Sequence, residues 1–240
     1  MFKILVLIPS RLSAKRLPGK PLLKINGMSI ISHVFKKATE ANIGDVYVAT
    51  ENKEIVEEVE KNNGKAILTS NKHKTGSDRI YECFEKLNFK NINYIINLQG
   101  DEPNIEIDDL KHFKKLIKQY RPDIGTLAAK INDKNKFNNE NIVKVITEKK
   151  ITQKNFPIAL DFKRKIINVR KNIFHHIGIY AYKPAILKKI INFKQTNQEL
   201  KNKLEQLRAM ENNININVGL AKYSPIGVDT MEDYLALKKN

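Results

Sequence analysis

The sequence predicts an α/β protein in which a mainly parallel sheet is covered by helices on both faces. In the first 100 residues, apolar runs typical of strands buried on both faces alternate with segments whose apolar residues recur at helical spacing. The chain has 240 residues, of which 41% are hydrophobic, and this is enough for one sizeable core. We therefore expect a single domain, residues 1–240, in which residues from about 130 to 215 form a smaller lobe.

The elements are assigned in chain order. Residues 2–8, FKILVLI, form a buried strand, and residues 28–41 show helical spacing after a long loop. The same reasoning predicts strands at 45–50, 65–69, 93–98 and 173–182, helices at 53–62 and 77–87, a helical leucine stripe at Leu200, Leu204 and Leu207, and a terminal helix containing Tyr234, Leu235 and Leu237. In such sheets ligands collect beyond the carboxyl ends of the strands, so the loops there are the candidate sites.

Composition narrows the class of protein. The net charge is +17, but the lysines are scattered and form no basic block flanked by aromatic residues, so we expect a basic surface without a nucleic-acid groove. The single cysteine, Cys83, lies among apolar residues at helical spacing and is predicted to fill the core. No apolar run is long enough to span a membrane, and the first strand lacks a signal-peptide cleavage pattern. We expect a soluble cytoplasmic protein that binds neither nucleic acid nor membranes.

The loop after the first strand, IPSRLSAKRLPGKPL, is rich in positive charge. Proline and glycine shape this loop, while Arg11, Lys15, Arg16 and Lys20 offer cations to an anion. A solvated basic loop would explain a bare charge run, but the position after the first strand favours phosphate binding. The loop fits neither GxxxxGK[ST] nor GxGxxG.

A second loop, KTGSDRI, leads into a predicted helix. Ser77 can cap this helix and Asp78 lies in its first turn, so capping alone explains both residues. Gly76 and Arg79 are not explained by capping. A glycine permits close approach of a ligand, and free N–H groups at a helix start favour an anion.

Carboxylates mark two further loops. Asp101 and Glu102 follow a buried strand in NLQGDEP, and Asp229 precedes the terminal helix in GVDTMED. Asp101 could simply form a turn, and Asp229 or Thr230 could cap the helix. If the fold brings both aspartates together, they can hold Mg²⁺, which prefers oxygen ligands and bridges phosphates. Glu102 is expected to support its loop.

Several separated motifs carry a resemblance to a known family. They are IPSRLSAKRLPGKPL, TGSDRI, NLQGDEP, HHIGIYAY, LEQLRAMENN and GVDTMED. In order and spacing they resemble those of the 3-deoxy-manno-octulosonate cytidylyltransferase (CMP-Kdo synthetase) family. The resemblance implies a GT-A-like, Rossmann-type nucleotidyltransferase with a small β-rich dimerisation lobe, and a homodimer. It also implies Mg²⁺-dependent coupling of CTP to the acid sugar Kdo, with release of pyrophosphate, for lipopolysaccharide synthesis.

The resemblance also assigns site residues, position by position. It implies catalytic roles for Arg11, Lys20 and Asp101, and magnesium ligation by Asp101 and Asp229. The nucleotide-binding positions are Pro9, Arg11, Ser13, Lys20, Gly76, Ser77, Arg79 and Gln99. The sugar-binding positions are Gln99, His176, Tyr180, Glu205 and Gln206. For the neighbouring His175 a structural role in a strand is the better interpretation.

One segment departs from the family pattern. Members of the family have a Tyr-Phe-Ser-Arg segment ahead of HHIGIY, and the chain has no such arginine, so Arg164 and Arg170 are candidate substitutes. The departure leaves open the same reaction on another acid sugar, such as 8-amino-Kdo or a sialic-type nonulosonic acid, and a non-catalytic nucleotide-binding homologue. A basic nucleic-acid-binding protein is the alternative from a different class.

Overall fold

The first strand lies between two parallel neighbours, as its uninterrupted apolar sequence predicts. The structure is a computed structural model that describes residues 2–13, 16–133, 137–166, 171–225 and 227–238, so Lys15 and Arg170 lie outside the described residues. The strands are β1 (Ile4–Ser10), β2 (Lys24–Ile25), β3 (Met28–Ser29), β4 (Asp45–Thr50), β5 (Ala66–Leu68), β6 (Tyr94–Asn97), β7 (Ile124–Ala129), β8 (Lys144–Thr147), β9 (Ala159–Lys163), β10 (Ile173–Tyr182) and β11 (Ile216–Leu220). The helices are α1 (Ile30–Glu40), α2 (Lys53–Lys61), α3 (Gly76–Leu87), α4 (Ile107–Tyr120), α5 (Pro184–Asn192), α6 (Asn197–Asn202), α7 (Gln206–Glu211) and α8 (Met231–Lys238).

The chain divides into two compact units. The first comprises residues 1–111 and 225–240, and the second comprises residues 112–224. The smaller lobe expected at about 130–215 falls within the second unit. The predicted α/β class with a mainly parallel, helix-covered sheet is confirmed.

The first unit contains four parallel strands in the order β6-β1-β4-β5. The chain moves from β1 to β4 and on to β5, and then returns to the far side of β1 as β6. Because crossovers between parallel strands are right-handed, this reversal places α3 on the face opposite α1 and α2. It also creates a topological switch point between β1 and β6, which is where sheets of this kind bind ligands.

A cluster of apolar side chains attaches the C-terminal segment to the basic loop. Leu17, Ile25 and Ile30 pack with Val228 and Leu237, and all five are buried. Burial of each large side chain contributes about 1.5–3 kcal/mol relative to exposure. The cluster therefore holds residues 228–229 beside the loop that ends at Lys20.

The second unit contains a mixed sheet. Its strands follow the order β11-β7-β10-β8-β9, with β11 parallel to β7 and the other pairs antiparallel. The long strand β10 matches the predicted strand at 173–182, and a register shift interrupts its pairing with β7 between Ile177 and Tyr180. The irregularity redirects the side chains near Tyr180.

Two local predictions are wrong. The side chain that caps α3 is Thr75, which forms a capping box with Asp78, and Ser77 lies inside the helix. The leucine stripe is not one helix, because Lys203, at a positive φ of 53°, separates α6 from α7. Leu204 and Leu207 are buried, whereas Leu200 is 55% exposed.

The prediction for the cysteine is confirmed. Cys83 is fully buried in α3, and burial, together with the charge of Glu82, raises the pKa of its thiol to about 12. A free cysteine in this environment behaves as a small apolar side chain. In the described part of the chain, no helix combines the length and apolar character that a membrane crossing requires.

Candidate active site

A cavity of about 430 Å³ opens at the carboxyl ends of β1 and β6, at the topological switch point. This volume is within the range of small-ligand sites. The cavity is lined by Pro9, Ser10, Arg11, Arg16, Leu17, Lys20, Pro21, His73, Lys74, Thr75, Gly76, Arg79, Gln99, Gly100, Asp101 and Asp229. All of these residues belong to the first unit.

The basic loop is held by a hydrogen bond to the side chain of Asn52 and by a backbone hydrogen bond within the loop. The Leu12 N–H donates to Oδ1 of Asn52 (3.0 Å), and the Gly19 N–H donates to the Leu12 carbonyl (2.9 Å). Gly19 has φ +72°, a left-handed conformation that glycine adopts without steric cost. Closure of the loop brings Arg11, Arg16 and Lys20 to one cavity, although they are separated along the chain.

Lys20 is the centre of the charged contacts in this cavity. Its Nζ donates to Oδ2 of Asp101 (2.6 Å), to the carbonyl of Val228 (2.9 Å) and to Oδ1 of Asp229 (3.1 Å). Burial of the ammonium opposes its charge, but Asp101 and Asp229 outweigh this effect and raise the pKa of Lys20. Lys20 is therefore a permanent cation at neutral pH.

Asp101 and Asp229 converge because the backbone joins their loops. The Val228 N–H donates to the Asp101 carbonyl (2.8 Å). Thr230 and Asp233 exchange hydrogen bonds across the start of α8, with Thr230 N–H to Asp233 Oδ2 at 2.8 Å and Asp233 N–H to Thr230 Oγ1 at 3.2 Å. Since Thr230 serves as the cap, the Asp229 side chain is left for Lys20 and for Arg16, whose Nη2 lies 2.9 Å away.

The two aspartates have the chemistry of a magnesium site. Their carboxylates lie within 3.1 Å of the same ammonium, so both aim at one point. Among the described residues there is no group of three or more His, Cys, Asp or Glu side chains that could hold a metal. Two carboxylates fit Mg²⁺ in particular, because this ion is commonly held by one or two carboxylates together with water and substrate phosphates.

The start of α3 forms another part of the wall. Gly76 faces Pro9, and a Cβ built on Gly76 would lie 3.5 Å from Cγ of Pro9, at ordinary contact distance. Arg79, one turn into the helix, is 3% exposed and is paired with Glu51. It also donates to Oγ1 of Thr69 (2.7 Å), so its guanidinium braces the surrounding loops.

The cavity contains most of the nucleotide and metal positions expected from sequence. Pro9, Arg11, Lys20, Gly76, Arg79, Gln99, Asp101 and Asp229 line it, whereas Ser13 and Ser77 do not. Ser13 is exposed, and Ser77 is 1% exposed within α3. The site assignments as ligand contacts stay predictions.

Sequence reasoning assigned no role to Ser10, His73, Lys74 and Thr75, which also line the cavity. The sequence contained a signal for the last three. His73 and Lys74 directly precede the motif TGSDRI and Thr75 begins it, in the loop that follows β5. Ser10 lies at the end of β1, and its buried hydroxyl has no hydrogen-bond partner within the described ranges. A buried group of this kind is a natural contact for a ligand.

Of the predicted sugar-binding residues, Gln99 lines the cavity of the first unit, and the other four belong to the second unit. His176 is buried against Phe162 and Tyr180, and its Nε2 lies 3.0 Å from Oγ1 of Thr126. Because the Thr126 hydroxyl donates to the Ile179 carbonyl (2.7 Å), we infer that Nε2–H of His176 donates to Oγ1. Burial, and then the charge of His175, lowers the pKa of His176 to about 3, so the ring is neutral.

Tyr180 and Glu205 lie close together in the same unit. Burial, followed by the charges of Tyr182 and Glu205, raises the pKa of Tyr180 well above its usual value. The Tyr180 hydroxyl is buried and lacks a hydrogen-bond partner among the residues that the structure describes. A ligand hydroxyl or carboxylate would satisfy it.

Three further residues that the sequence singled out, Gln206, His175 and Arg164, also belong to the second unit. Gln206 begins α7, directly after Glu205. His175 lies on the other face of β10 from His176 and contacts Oγ of Ser224 through Nδ1 (2.7 Å). Arg164, one of the substitutes considered for the missing arginine, donates to the backbone carbonyls of Asn202 (2.9 Å), Glu140 and Lys203 (both 3.1 Å). Its guanidinium therefore braces the polypeptide.

Comparisons with known proteins agree on one relationship. The family model described as Cytidylyltransferase matches residues 5–216. Curated relatives called 3-deoxy-manno-octulosonate cytidylyltransferase include proteins from Thermodesulfovibrio yellowstonii, 41% identical over 97% of this chain and 95% of the relative, and from Bartonella bacilliformis, 37% identical over 99% and 98%. A solved CMP:2-keto-3-deoxy-manno-octonic acid synthetase complexed with CTP superposes with a TM-score of 0.88 at 32% identity, covering 99% of this chain and 97% of that one.

A more distant structure shows the same fold. The 4-diphosphocytidyl-2C-methyl-D-erythritol synthase from Anaerococcus prevotii has a TM-score of 0.62 at 16% identity, covering 99% of this chain and 97% of that chain. At this identity the likeness concerns the fold alone.

Proposed function

The chain belongs to the 3-deoxy-manno-octulosonate cytidylyltransferase family, and we propose that it transfers CMP from CTP to the anomeric hydroxyl of Kdo. The products are CMP-Kdo, a precursor for lipopolysaccharide synthesis, and pyrophosphate. The observation that carries this proposal is the convergence of Lys20, Asp101 and Asp229 in a cation-rich cavity at the topological switch point.

The charge distribution of the cavity suits a nucleoside triphosphate. Arg11, Arg16, Lys20 and Lys74 line it, and each can neutralise phosphate oxygens. Arg79 is engaged with Glu51 and Thr69, so its part in nucleotide binding is to hold the wall of the cavity. The positive charge of the basic loop therefore has a specific use, which is to bind the triphosphate of CTP.

The reaction is an in-line displacement at phosphorus. The anomeric oxygen of the sugar attacks the α-phosphorus, a new O–P bond forms, and the bond from the α-phosphorus to the bridging oxygen of the β-phosphate breaks. The sugar hydroxyl loses its proton and pyrophosphate leaves. Arg11 and Lys20 stabilise the negative charge that develops on the phosphate oxygens, and Lys20 acts strongly because its contacts with Asp101, Val228 and Asp229 preorganise it.

We propose that Asp101 and Asp229 hold Mg²⁺. The convergence of their carboxylates on a single cation supports this assignment. When bound, the metal would neutralise the leaving pyrophosphate and help orient the attacked phosphorus. Lys20 and Arg16, which pair with the aspartates, are placed to bind the phosphate oxygens that accompany the metal.

We propose that His176, Tyr180, Glu205 and Gln206 of the second unit contact the sugar. The unpartnered, buried hydroxyl of Tyr180 next to the charge of Glu205 supports a polar ligand there. His176 is neutral and fixed by Thr126, so its role would be to shape the site and not to transfer a proton.

We also propose a cytoplasmic homodimer. The cytoplasmic location is proposed because CTP is a cytoplasmic nucleotide. The dimer is proposed because the described part of the second unit exposes apolar side chains, among them Leu160 on β9, which is 59% exposed. Among the described residues of its unit, β9 pairs only with β8, so its other edge is open. Such an edge can accept a second copy of the chain. Light scattering coupled to size exclusion tests this proposal, and a monomer at micromolar concentration would contradict it.

Release of pyrophosphate tests the proposed function. The purified protein is incubated with CTP and Mg²⁺ in parallel with Kdo, 8-amino-Kdo, N-acetylneuraminate or no sugar. We expect release with Kdo and none without sugar. Preference for another acid sugar, which the missing Tyr-Phe-Ser-Arg segment motivates, would change the acceptor and keep the chemistry. Silence with every sugar, while CTP still binds, would support a non-catalytic homologue.

A further inference from the structure

The segment that joins β5 to α3 forms one wall of the cavity. Its residues His73, Lys74 and Thr75 line the cavity in succession, and Gly76 follows at the start of α3. The family resemblance assigned no role to His73 or Lys74. Because three consecutive residues of this segment face the ligand space, the conformation of the segment determines the shape of the wall.

Two side chains of α3 hold this segment. Arg79 donates to Oγ1 of Thr69 (2.7 Å) and to the carbonyl of Ser70 (3.3 Å). Glu82 accepts the Ser70 N–H at Oε2 (2.9 Å), and the same oxygen contacts Nε2 of His73. Residues 79 and 82 are three apart and share one face of the helix. They therefore fasten the segment at adjacent points.

The Glu82 carboxylate is itself held from both sides. Its Oε1 accepts a bond from Nζ of Lys86 (2.8 Å), one turn further along α3, while Oε2 faces Ser70 and His73. Lys86 also donates to the Leu68 carbonyl (2.8 Å) at the end of β5. The carboxylate thus has a fixed orientation, and the ring of His73 is fixed with it.

The two braces differ in burial. Arg79 is 3% exposed and is paired with Glu51, so it belongs to the framework of the unit. The side chains of His73 and Glu82 are 20% and 23% exposed. Partly exposed ion pairs contribute little to stability, so the main consequence of the Glu82–His73 contact is geometric. Small displacements of groups that position a substrate have large effects on its use.

We propose that Glu82 is a positioning residue for the nucleotide: through His73 it holds the segment 70–75 in the conformation that receives CTP. The inference rests on the proposed function, because CTP is the ligand that it invokes. His73 is the residue of the pair that contacts the nucleotide; Glu82 acts on the nucleotide through it, and the bond that Glu82 accepts from the Ser70 N–H fixes the start of the same segment.

A double-mutant cycle tests this assignment. The proteins are the wild type, Glu82→Gln, His73→Gln and the double variant, with Glu85→Gln as the matched control because Glu85 is an exposed glutamate of the same helix. The dissociation constant of CTP is measured by calorimetry. The kcat and the KM values for CTP and Kdo are measured by pyrophosphate release, and thermal unfolding monitors the fold.

We expect each single substitution to raise the KM and dissociation constant of CTP by about tenfold. The double variant should be no weaker than the worse single variant, because both substitutions break one connection. The kcat and the KM for Kdo should stay within about twofold of the wild type, and Glu85→Gln should match the wild type.

Three results would overturn the inference: unchanged CTP affinity in Glu82→Gln, effects of the two substitutions that multiply, or a loss of kcat with unchanged KM. If Glu82→Gln failed to fold, His73→Gln alone would decide, since unchanged CTP affinity in that variant contradicts the role. A wild-type protein that binds CTP without transferring CMP to any acid sugar would instead contradict the proposed function, and the calorimetric comparison would still test Glu82.

Discussion

The Nζ atom of Lys20 lies 2.6 Å from Oδ2 of Asp101. The pair joins the basic loop after β1 to the acidic loop after β6, across the topological switch point of the parallel sheet. Lys20 also reaches Asp229, in the segment before α8. One ammonium therefore organises three segments that are distant in sequence, and these segments supply the cations and carboxylates that nucleotidyl transfer requires.

Replacement of this lysine should remove catalysis. Lys20→Met keeps the length of the side chain but leaves Asp101 and Asp229 without their shared ammonium and the phosphates without one cation. We expect kcat/KM for CTP to fall by about 100- to 1,000-fold, as for loss of a preorganised charge. Initial rates of pyrophosphate release measure the effect. Lys24→Met is the matched control, because Lys24 is exposed, and a similar fall in that variant would contradict a specific role for Lys20.

Substitutions at two neighbouring residues before α8, Thr230 and Asp229, should differ in their effects on stability and on activity. Thr230→Val removes the hydroxyl that caps α8 and should lower the free energy of unfolding by about 0.5–2 kcal/mol. Asp229→Asn should abolish Mg²⁺-dependent turnover with a smaller loss of stability, since Asp229 is nearly half exposed. Denaturant unfolding and initial rates of both variants give the comparison. Equal losses of activity in the two would show that Asp229 acts only through the fold.

A side chain at position 100 should destabilise the protein. A Cβ at this position would lie 3.0 Å from the Pro9 carbonyl oxygen and 3.2 Å from Cδ1 of Ile31, both in the packed interior around β1. We expect Gly100→Ala to cost about 1–3 kcal/mol of stability and to displace Asp101. The control is Gly76→Ala, where the new Cβ would make only ordinary contacts with Pro9. Chemical unfolding of both variants is the measurement, and an unchanged stability of Gly100→Ala would refute the packing argument.

His176 should make stability depend on pH. Its folded-state pKa is lowered to about 3 from 6.5, so below pH 6.5 the unfolded chain binds a proton that the folded protein does not. The part of the free energy of unfolding that depends on a neutral His176 ring is fully present above pH 6.5. It is lost as the pH falls toward 3, at up to about 1.4 kcal/mol per pH unit.

Comparison of variants isolates this contribution. His176→Gln should flatten the pH dependence of the free energy of unfolding between pH 6.5 and pH 4, measured by denaturant titration. His175→Gln leaves burial, the larger cause of the lowered pKa of His176, in place and removes only the charge of His175, so it should keep most of the slope of the wild type. An identical slope in His176→Gln and the wild type would show that the ring is protonated in the folded state.

Several strands and site residues could be predicted from local patterns. The runs at 45–50 and 173–182 coincide with β4 and β10, because both are rich in the β-branched and aromatic residues that strands favour. Asp101 and Asp229 could be singled out, since carboxyl ends of parallel strands collect functional groups. That both bind Lys20 could not be predicted, because the Leu17–Val228 packing that brings them together is tertiary.

Other features could not be predicted from hydrophobic spacing or from single residues. Thr75 and Ser77 are both good caps, and the reciprocal bond with Asp78 at the third helical position decides for Thr75. The break at Lys203 follows from a left-handed backbone that the leucine spacing does not reveal. The Glu82–His73 contact joins residues nine apart through a loop, and helical periodicity carries no information about it.

Formation of CMP-Kdo by matched variants tests the central claim most directly. Wild type, Asp101→Asn and Asp45→Asn are incubated with CTP, Kdo and Mg²⁺, and the sugar nucleotide is quantified by mass spectrometry. Asp45 is the first residue of β4, at the end of the parallel strands opposite the cavity. Asp45→Asn therefore removes one negative charge, as Asp101→Asn does, without touching the cavity. We predict CMP-Kdo from the wild type and Asp45→Asn, and a rate at least about 100-fold lower from Asp101→Asn. An Asp101→Asn protein as active as the wild type, or a wild type that makes no CMP-Kdo, would contradict the account.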